Sequence, residues 1–217
     1  MHSASAVTTV LAMPSPLELA DRVERLERRA RAQASLLDAL AELLAPAARG
    51  AAPEAILAML DTSLPCAVAA VDATDGSILV RDDANSALAF VATAGSIPTQ
   101  RLRWTYLPSH RGIASWVTAN GQAAIVNDVR ADERFYPGID EVHAFHTRTV
   151  LAVPVIHGGN VLGVVEVLNK RGNRLFDTSD KRAIEVYAHC IGRTLAHLAA
   201  GQDRPAAAQT SRVAVSS

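Results

Sequence analysis

The residues best suited to chemistry fall in the second half of the chain. Gly112, Ile113 and Ala114 open a helical stretch directly after His110 and Arg111. The first turn of a helix offers free N–H groups and the positive end of its dipole, so this turn reads as an anion site. Glu166 interrupts an otherwise apolar strand, where a carboxylate is costly unless paired. The spacing of Asp140, His143 and Thr147 puts them on one face if their segment is helical. Lys170 ends the strand that carries Glu166, and Asp180 falls in the first turn of the next helix, with Asp177 as its cap. A Lys170–Asp180 pair would lock strand to helix; the plainer reading is an exposed pair worth under about 1 kcal/mol.

Weaker constellations accompany these. His143 and His146 have metal-like spacing but no spaced third ligand. His189 and His197 lie two helical turns apart and read as surface or interface residues. Cys66, on an expected strand, and Cys190, on the last helix, read as core. Trp104 and Trp116 are most simply core or cover residues. No Ser-His-Asp spacing, phosphate loop or paired-carboxylate motif rises above chance.

The elements that position these residues follow from periodicity. Residues 1–16 and about 200–217 are aperiodic and are expected to be a disordered leader and tail. Residues 17–45 form one long helix with two heptad series: Val23, Ala30, Leu37, Leu44 and Leu19, Leu26, Gln33, Leu40. That pattern suggests a coiled-coil seam, with Arg22 and Glu27 able to pair across a parallel dimer. The alternative is an amphipathic helix packed on its own domain.

After a break at residues 46–53, a compact region runs to residue 199. It is expected to hold a short helix over 53–62 and strands at 65–72 and 87–94. A helix over 112–119 and a strand at 123–126 follow. Asp72 and Asp75-Gly76 suit a turn. Val-rich runs at 149–156 and 161–168 flank His157-Gly158-Gly159-Asn160, the strongest hairpin signal in the chain. A helix over 178–199 closes the region, with Ile184, Tyr187, Ile191, Leu195 and Leu198 as its apolar stripe. The mixture indicates an α+β fold.

Composition bounds the function. Of 217 residues, 49% are apolar but only 4% aromatic, and about 40 are alanine, which buries little area. The net charge of −1 supplies no global basic field, which disfavours sequence-independent nucleic-acid binding. No run is expected to reach the 18 or more apolar residues of a membrane span. Two isolated cysteines and no basic leader fit a cytoplasmic protein. The excess of Arg and Ala suits a GC-rich bacterial coding sequence.

The central segment resembles the GAF domain family, the sensory module of cyclic-nucleotide phosphodiesterases and some adenylate cyclases. The matching pieces run in order: Gly112-Ile113-Ala114, Asn127-Asp128, Asp132-x-Arg134-Phe135-Tyr136-x-Gly138-x-Asp140, Thr147-Arg148-Thr149, Leu151-x-Val153-Pro154-Val155 and residues 163–170. The family's Asn-Lys…Phe-x-x-x-Asp-Glu signature stands as Asn169, Lys170, Phe176 and Asp180, followed by Lys181 in place of Glu.

The resemblance implies a central antiparallel sheet with helices packed on it, preceded here by a long coiled-coil-like helix. It implies a ligand pocket of Ile113, Ala114, Tyr136, Asp140, His143, Thr147 and Glu166, and a structural motif of Asn169, Lys170, Phe176 and Asp180. His143 stands where the family often has Thr. Ala67 replaces a serine of the first strand, and Thr93-Ala94 replaces a polar or aromatic pair contacting the base. The function so implied is non-enzymatic sensing of a small molecule, cAMP or cGMP, by a homodimer. It would need no further cofactor or metal, nucleic acid or membrane. The short chain is expected to signal through its helices to a separate effector. The alternatives are a ligand-free dimerisation or docking module and a redox enzyme on the same fold.

Overall fold

A computed structural model describes residues 15–47, 52–108 and 110–200. The expected leader, tail and inter-helix break, apart from residues 15, 16, 46, 47, 52, 53 and 200, lie outside those residues, as do the side chains of Leu44, His197 and Leu198. In chain order the elements are α1 (Pro16–Ala47), α2 (Pro53–Ala70), β1 (Ala73–Asp82), β2 (Ala87–Ala94), α3 (Thr99–Leu102), β3 (Tyr106–Pro108), α4 (Gly112–Asn120), β4 (Ala124–Val126), α5 (Gly138–His143), β5 (Val150–His157), β6 (Asn160–Lys170) and α6 (Thr178–Ala200). The six strands form one antiparallel sheet in the order β3-β2-β1-β6-β5-β4. This is the expected α+β arrangement, and the β5–β6 hairpin forms about the His157-to-Asn160 turn.

Strand alternation divides the interior in two. Val153, Val155, Val165 and Val167 face a core built with α2, α6 and the C-terminal half of α1. Val150, Ala152 and Val164 face a second core built on α4 and Leu102. Glu166, between Val165 and Val167, therefore points to the α4 side. In the first core the Tyr187 hydroxyl meets Ser63 Oγ at 2.9 Å, so neither polar group is buried alone.

Two expectations are corrected at the start of the domain. Residues 65–72 do not form a strand: α2 runs on through Pro65 to Ala70, and Cys66 lies on it. The buried set Ile56, Leu60, Leu64, Ala67 and Val68 has helical spacing, and a short Ala/Val run does not by itself distinguish helix from strand. Pro65 faces outward, where its missing N–H costs least. At 18 residues, α2 is also apolar enough by length and composition to cross a membrane, contrary to the composition argument; here it packs on β1 and β2.

Asp75-Gly76 is likewise no turn but lies within β1. A Cβ at Gly76 would sit 2.5 Å from Val68 Cγ2 and 3.0 Å from the Glu166 carbonyl oxygen, so glycine is there for close helix packing. The turn is made by Asp72, whose φ is 55°.

The long helix uses its two halves differently. Leu36, Leu40 and Leu43 are buried in the first core, so the C-terminal half packs on its own domain. Leu19, Val23, Leu26 and Leu37 remain exposed.

A buried ion pair joins the last strand to the last helix. Lys170 and Asp180 are 3% and 0% exposed, and their charged groups are in direct contact. Asp180 Oδ2 also accepts the Asp177 N–H at 3.0 Å, and Asp177 Oδ1 accepts the Asp180 N–H at 2.9 Å, a reciprocal cap at the start of α6. Arg29 of α1 donates to Asp180 Oδ1 at 3.2 Å. The Lys170 ammonium lies 5.5 Å from the centre of the Phe176 ring. Lys181, where the family signature has Glu, pairs instead with Glu185 at 3.5 Å, outside this cluster.

Removing one partner of such a pair leaves an uncompensated buried charge. Asp180→Ala is expected to lower unfolding free energy by about 3–5 kcal/mol. Lys181→Ala, at the neighbouring position, should change it by less than about 0.5 kcal/mol. Urea denaturation of the two variants checks both values.

Candidate functional site

On the α4 side, the sheet and the chain between β4 and β5 line a cavity of about 100 Å³. Its floor is Ser77 of β1, Phe90 and Thr93 of β2, and Glu166 and Leu168 of β6. Ile113 and Ala114, in the first turn of α4, form a wall. Phe135, Tyr136, Ile139, Asp140, Phe145 and Thr147 close over it as a lid.

Residues anticipated from the sequence thus converge here: Ile113, Ala114, Tyr136, Asp140, Thr147 and Glu166 all line the cavity. His143 does not. It ends α5, and Ala144 follows in the left-handed conformation with φ 50°. The single helical face expected for Asp140, His143 and Thr147 therefore never forms. The chain doubles back so that Asp140 accepts from the Thr147 N–H at 2.9 Å and from Thr147 Oγ1 at 2.6 Å. Arg130 adds a contact to the same carboxylate at 3.7 Å.

Both ends of the lid are pinned by asparagines. Asn127 bonds the backbone of Phe176 twice, accepting at 2.8 Å and donating at 3.1 Å. Asn169 accepts from the Arg148 N–H at 2.8 Å and donates to the His146 carbonyl at 3.0 Å. Between the anchors, arginines brace the aromatic residues. Arg130 lies 5.3 Å from the Phe135 ring, and Arg111 lies 5.7 Å from the Tyr136 ring. Arg134 grips Asp132 with both prongs of its fork and lies 4.5 Å from the Trp116 ring. That contact holds the Asp132 carboxyl below its ordinary range. Any Cβ at Gly138 would fall 2.6–2.7 Å from the Tyr136 ring, so only glycine lets Tyr136 fold over the start of α5.

Polar chemistry inside the cavity is dominated by carboxylates. Asp75, Asp140 and Glu166 line it, and among the described residues no basic side chain does. Asp75 accepts the Ser96 N–H at 2.6 Å and a bond from the Thr74 hydroxyl. Glu166 has one hydrogen bond, from Ser77 Oγ at 3.1 Å. Its remaining exposure is to the cavity, deep among protein atoms. Burial outweighs the Ser77 bond and pushes its carboxyl up to about 7. The opposing positive feature is the first turn of α4, whose preceding residue Arg111 supplies no side-chain cap.

Several site residues were not anticipated. Ser77 is the cross-strand neighbour of Glu166, yet β1 was missed as a strand, so no sequence pattern selected it. Ala67, expected on the first strand, lies instead in α2, in the opposite core. Phe90, Phe135 and Phe145 line the cavity although their spacing carries no period. Thr93 is present but committed: its hydroxyl donates to the Ile97 carbonyl at 2.8 Å, bracing the next loop. Cys66 and Cys190 line no part of the cavity. Burial raises both thiols above their usual range.

Comparison with known proteins agrees with this architecture. A probable 3',5'-cyclic phosphodiesterase, pde-5, of Caenorhabditis elegans is 33% identical over 87 residues, covering 40% of this chain and 12% of that protein. A dual 3',5'-cyclic-AMP and -GMP phosphodiesterase 11A of Takifugu rubripes is 33% identical over 84 residues, 38% of this chain and 9% of its own. The chain thus spans only about a tenth of these curated relatives.

Among solved structures, the GAF domain of an Acinetobacter phosphoenolpyruvate-protein phosphotransferase superposes with a TM-score of 0.61 at 20% identity, over 76% of this chain and 96% of that one. A free methionine-R-sulfoxide reductase of Neisseria meningitidis, solved with its substrate, gives 0.59 at 19% identity, over 78% and 93%. At such identities these two show the fold alone. The sequence profile of the GAF domain matches residues 34–195, most of the chain, and the protein belongs to the GAF domain family.

Proposed function

We propose that the chain is a sensory module, not an enzyme, that binds a cyclic nucleotide in the α4-side cavity and signals through its helices to a separate effector. The observation that carries this reading is the convergence of the α4 first turn, the Asp140–Thr147 lid and Glu166 on one cavity. The α4 turn suits a cyclic phosphate. Ser77 and Glu166 offer hydrogen bonds to the base or ribose, and the Phe90 and Phe135 rings supply apolar contact. The cyclic-nucleotide phosphodiesterases among the relatives support the ligand class.

At about 100 Å³ the cavity is smaller than the 300–1,000 Å³ or so of ordinary ligand sites. On this reading the lid must move outward to admit ligand. A ligand that favours one lid position shifts the population of states. The uncovered Leu19, Val23 and Leu26 support a homodimer through α1, and two free cysteines suit a cytoplasmic setting. The small cavity equally favours a second reading, a ligand-free GAF fold used for dimerisation or docking.

Titration calorimetry with cAMP and cGMP separates the two readings. Binding of either is expected, weakened about tenfold or more in Glu166→Ala and Thr147→Ala. No heat and no thermal shift at millimolar nucleotide would sink the cyclic-nucleotide reading. Light scattering at micromolar protein should report a dimer; a monomer there counts against the α1 seam.

The raised Glu166 carboxyl also makes a pH prediction. Below about 7 the group is neutral and tolerates an anionic ligand; above it, a second negative charge opposes binding. Nucleotide affinity should therefore fall as pH rises from 6 to 8, and Glu166→Gln should flatten that profile. Stability follows the same sign. The proton is held more tightly in the fold, so its contribution is complete below the ordinary glutamate value and is lost as pH rises through about 7. Wild type should lose up to about 3 kcal/mol relative to Glu166→Gln over that window, measured by urea denaturation.

A further inference from the structure

A second concavity lies far from the lid, between the N-terminal half of α1 and the turn that joins β6 to α6. It is an open cleft of about 880 Å³. One wall carries Arg25, Arg28, Arg29 and Arg31 of α1; the other carries Arg171 and Arg174. The whole chain has net charge −1, so this concentration of guanidinium groups is local.

The neighbouring carboxylates do not balance them. Arg25 pairs with Asp21, and Arg28 with Glu24 at 2.6 Å. Arg171 and Arg174 share a single carboxylate, Asp72. Arg29 and Lys170 share Asp180 and also act on the nearby Asp177 carboxylate, so those four groups balance. Among the described residues Arg31 makes no ion pair and bonds the Glu27 carbonyl oxygen at 3.4 Å. The cleft therefore holds a cationic excess, presented as planar forks suited to two-point recognition of carboxylates.

We propose that this cleft docks an acidic, extended peptide segment of a partner protein. From Arg25 to Arg31 the α1 wall is about 9 Å long, the reach of about three extended residues. Forks spread over that length match several side-chain carboxylates in succession better than one compact anion. Asp21 and Asp72 interrupt the positive walls, which disfavours a continuous phosphate backbone. Among the described residues no aromatic ring lines the cleft on which a base would stack. Its concave shape keeps the arginines off the flat face that a bilayer requires.

The site is also placed to report on the rest of the molecule. The same strand runs from Glu166 at the cavity, through Lys170 in the buried pair, into Arg171 at the cleft. The docking itself does not depend on what the cavity binds.

The test is fluorescence anisotropy with a labelled short peptide in which Glu alternates with Ser, titrated with the full chain. Binding is expected at low salt and should weaken as salt screens it. Arg28→Glu with Arg31→Glu on one wall, and Arg171→Glu on the other, should each weaken it about tenfold or more. Arg101→Glu with Arg182→Glu, exposed arginines elsewhere with the same charge change as the double variant, should leave it within about twofold. Circular dichroism confirms that each variant folds. No binding, equal weakening by the control pair, or tighter binding to pyrophosphate, single-stranded DNA or anionic vesicles would overturn the proposal.

Discussion

The Lys170–Asp180 pair is the constraint on which the arrangement depends. Two opposite charges with almost no exposure tolerate one geometry, in which both are satisfied at once. That geometry sets the end of β6 against the first turn of α6. Asn169 can then hold His146 and Arg148 where the lid leaves α5, and Phe176 can receive Asn127 where the lid begins. The lid is thus anchored at both ends to the residues flanking one ion pair. Arg29 carries the connection to α1, so the long helix is bound to the domain by a charge contact as well as by its leucines.

Once β6 is fixed, its alternation distributes the chemistry. Val165 and Val167 seal the core under α2 and α6, and Glu166 faces the cavity by the same rule. A carboxylate there has one neutral hydrogen-bond donor and little solvent, so it keeps its proton to near neutrality. Asp75 and Asp140 lie in the same cavity but in different circumstances. Backbone N–H groups and hydroxyls hold them, which makes them struts rather than free acceptors. Three carboxylates around one space thus amount to one responsive group and two structural ones.

The parts legible in the sequence are those with period or paired turn signals. The β5–β6 hairpin, α4 and α6 follow from alternation, a glycine opening and a helical stripe. The Lys170–Asp180 pair was accessible because both residues sit at the ends of such elements. α2 was truncated because the apolar Ala/Val run over 65–72 suits either structure. That error pushed β1 out of place and concealed Ser77. The lid was readable residue by residue through the family resemblance, but its shape was not. Nothing local shows that Ala144 reverses the chain, so His143 seemed to join a face that never forms.

α1 shows why a heptad pattern under-determines its partner. Leu40 belongs to one heptad series and is buried on its own domain, while Leu36 and Leu43, outside both series, are buried beside it. Leu19 and Leu26 share Leu40's series and remain uncovered. The apolar stripe therefore serves an internal surface at one end and leaves another free at the other. Arg29 joins Asp180 near the point where the helix leaves the domain. Any movement of the β6–α6 junction acts on the helix there with the longest lever toward its N-terminus. A ligand would exploit that lever only if it bound the junction's arrangements unequally, since equal affinity shifts no population however tight the binding. Glu166, four residues upstream of Lys170 on one continuous strand, is the cavity carboxylate closest in the chain to that junction.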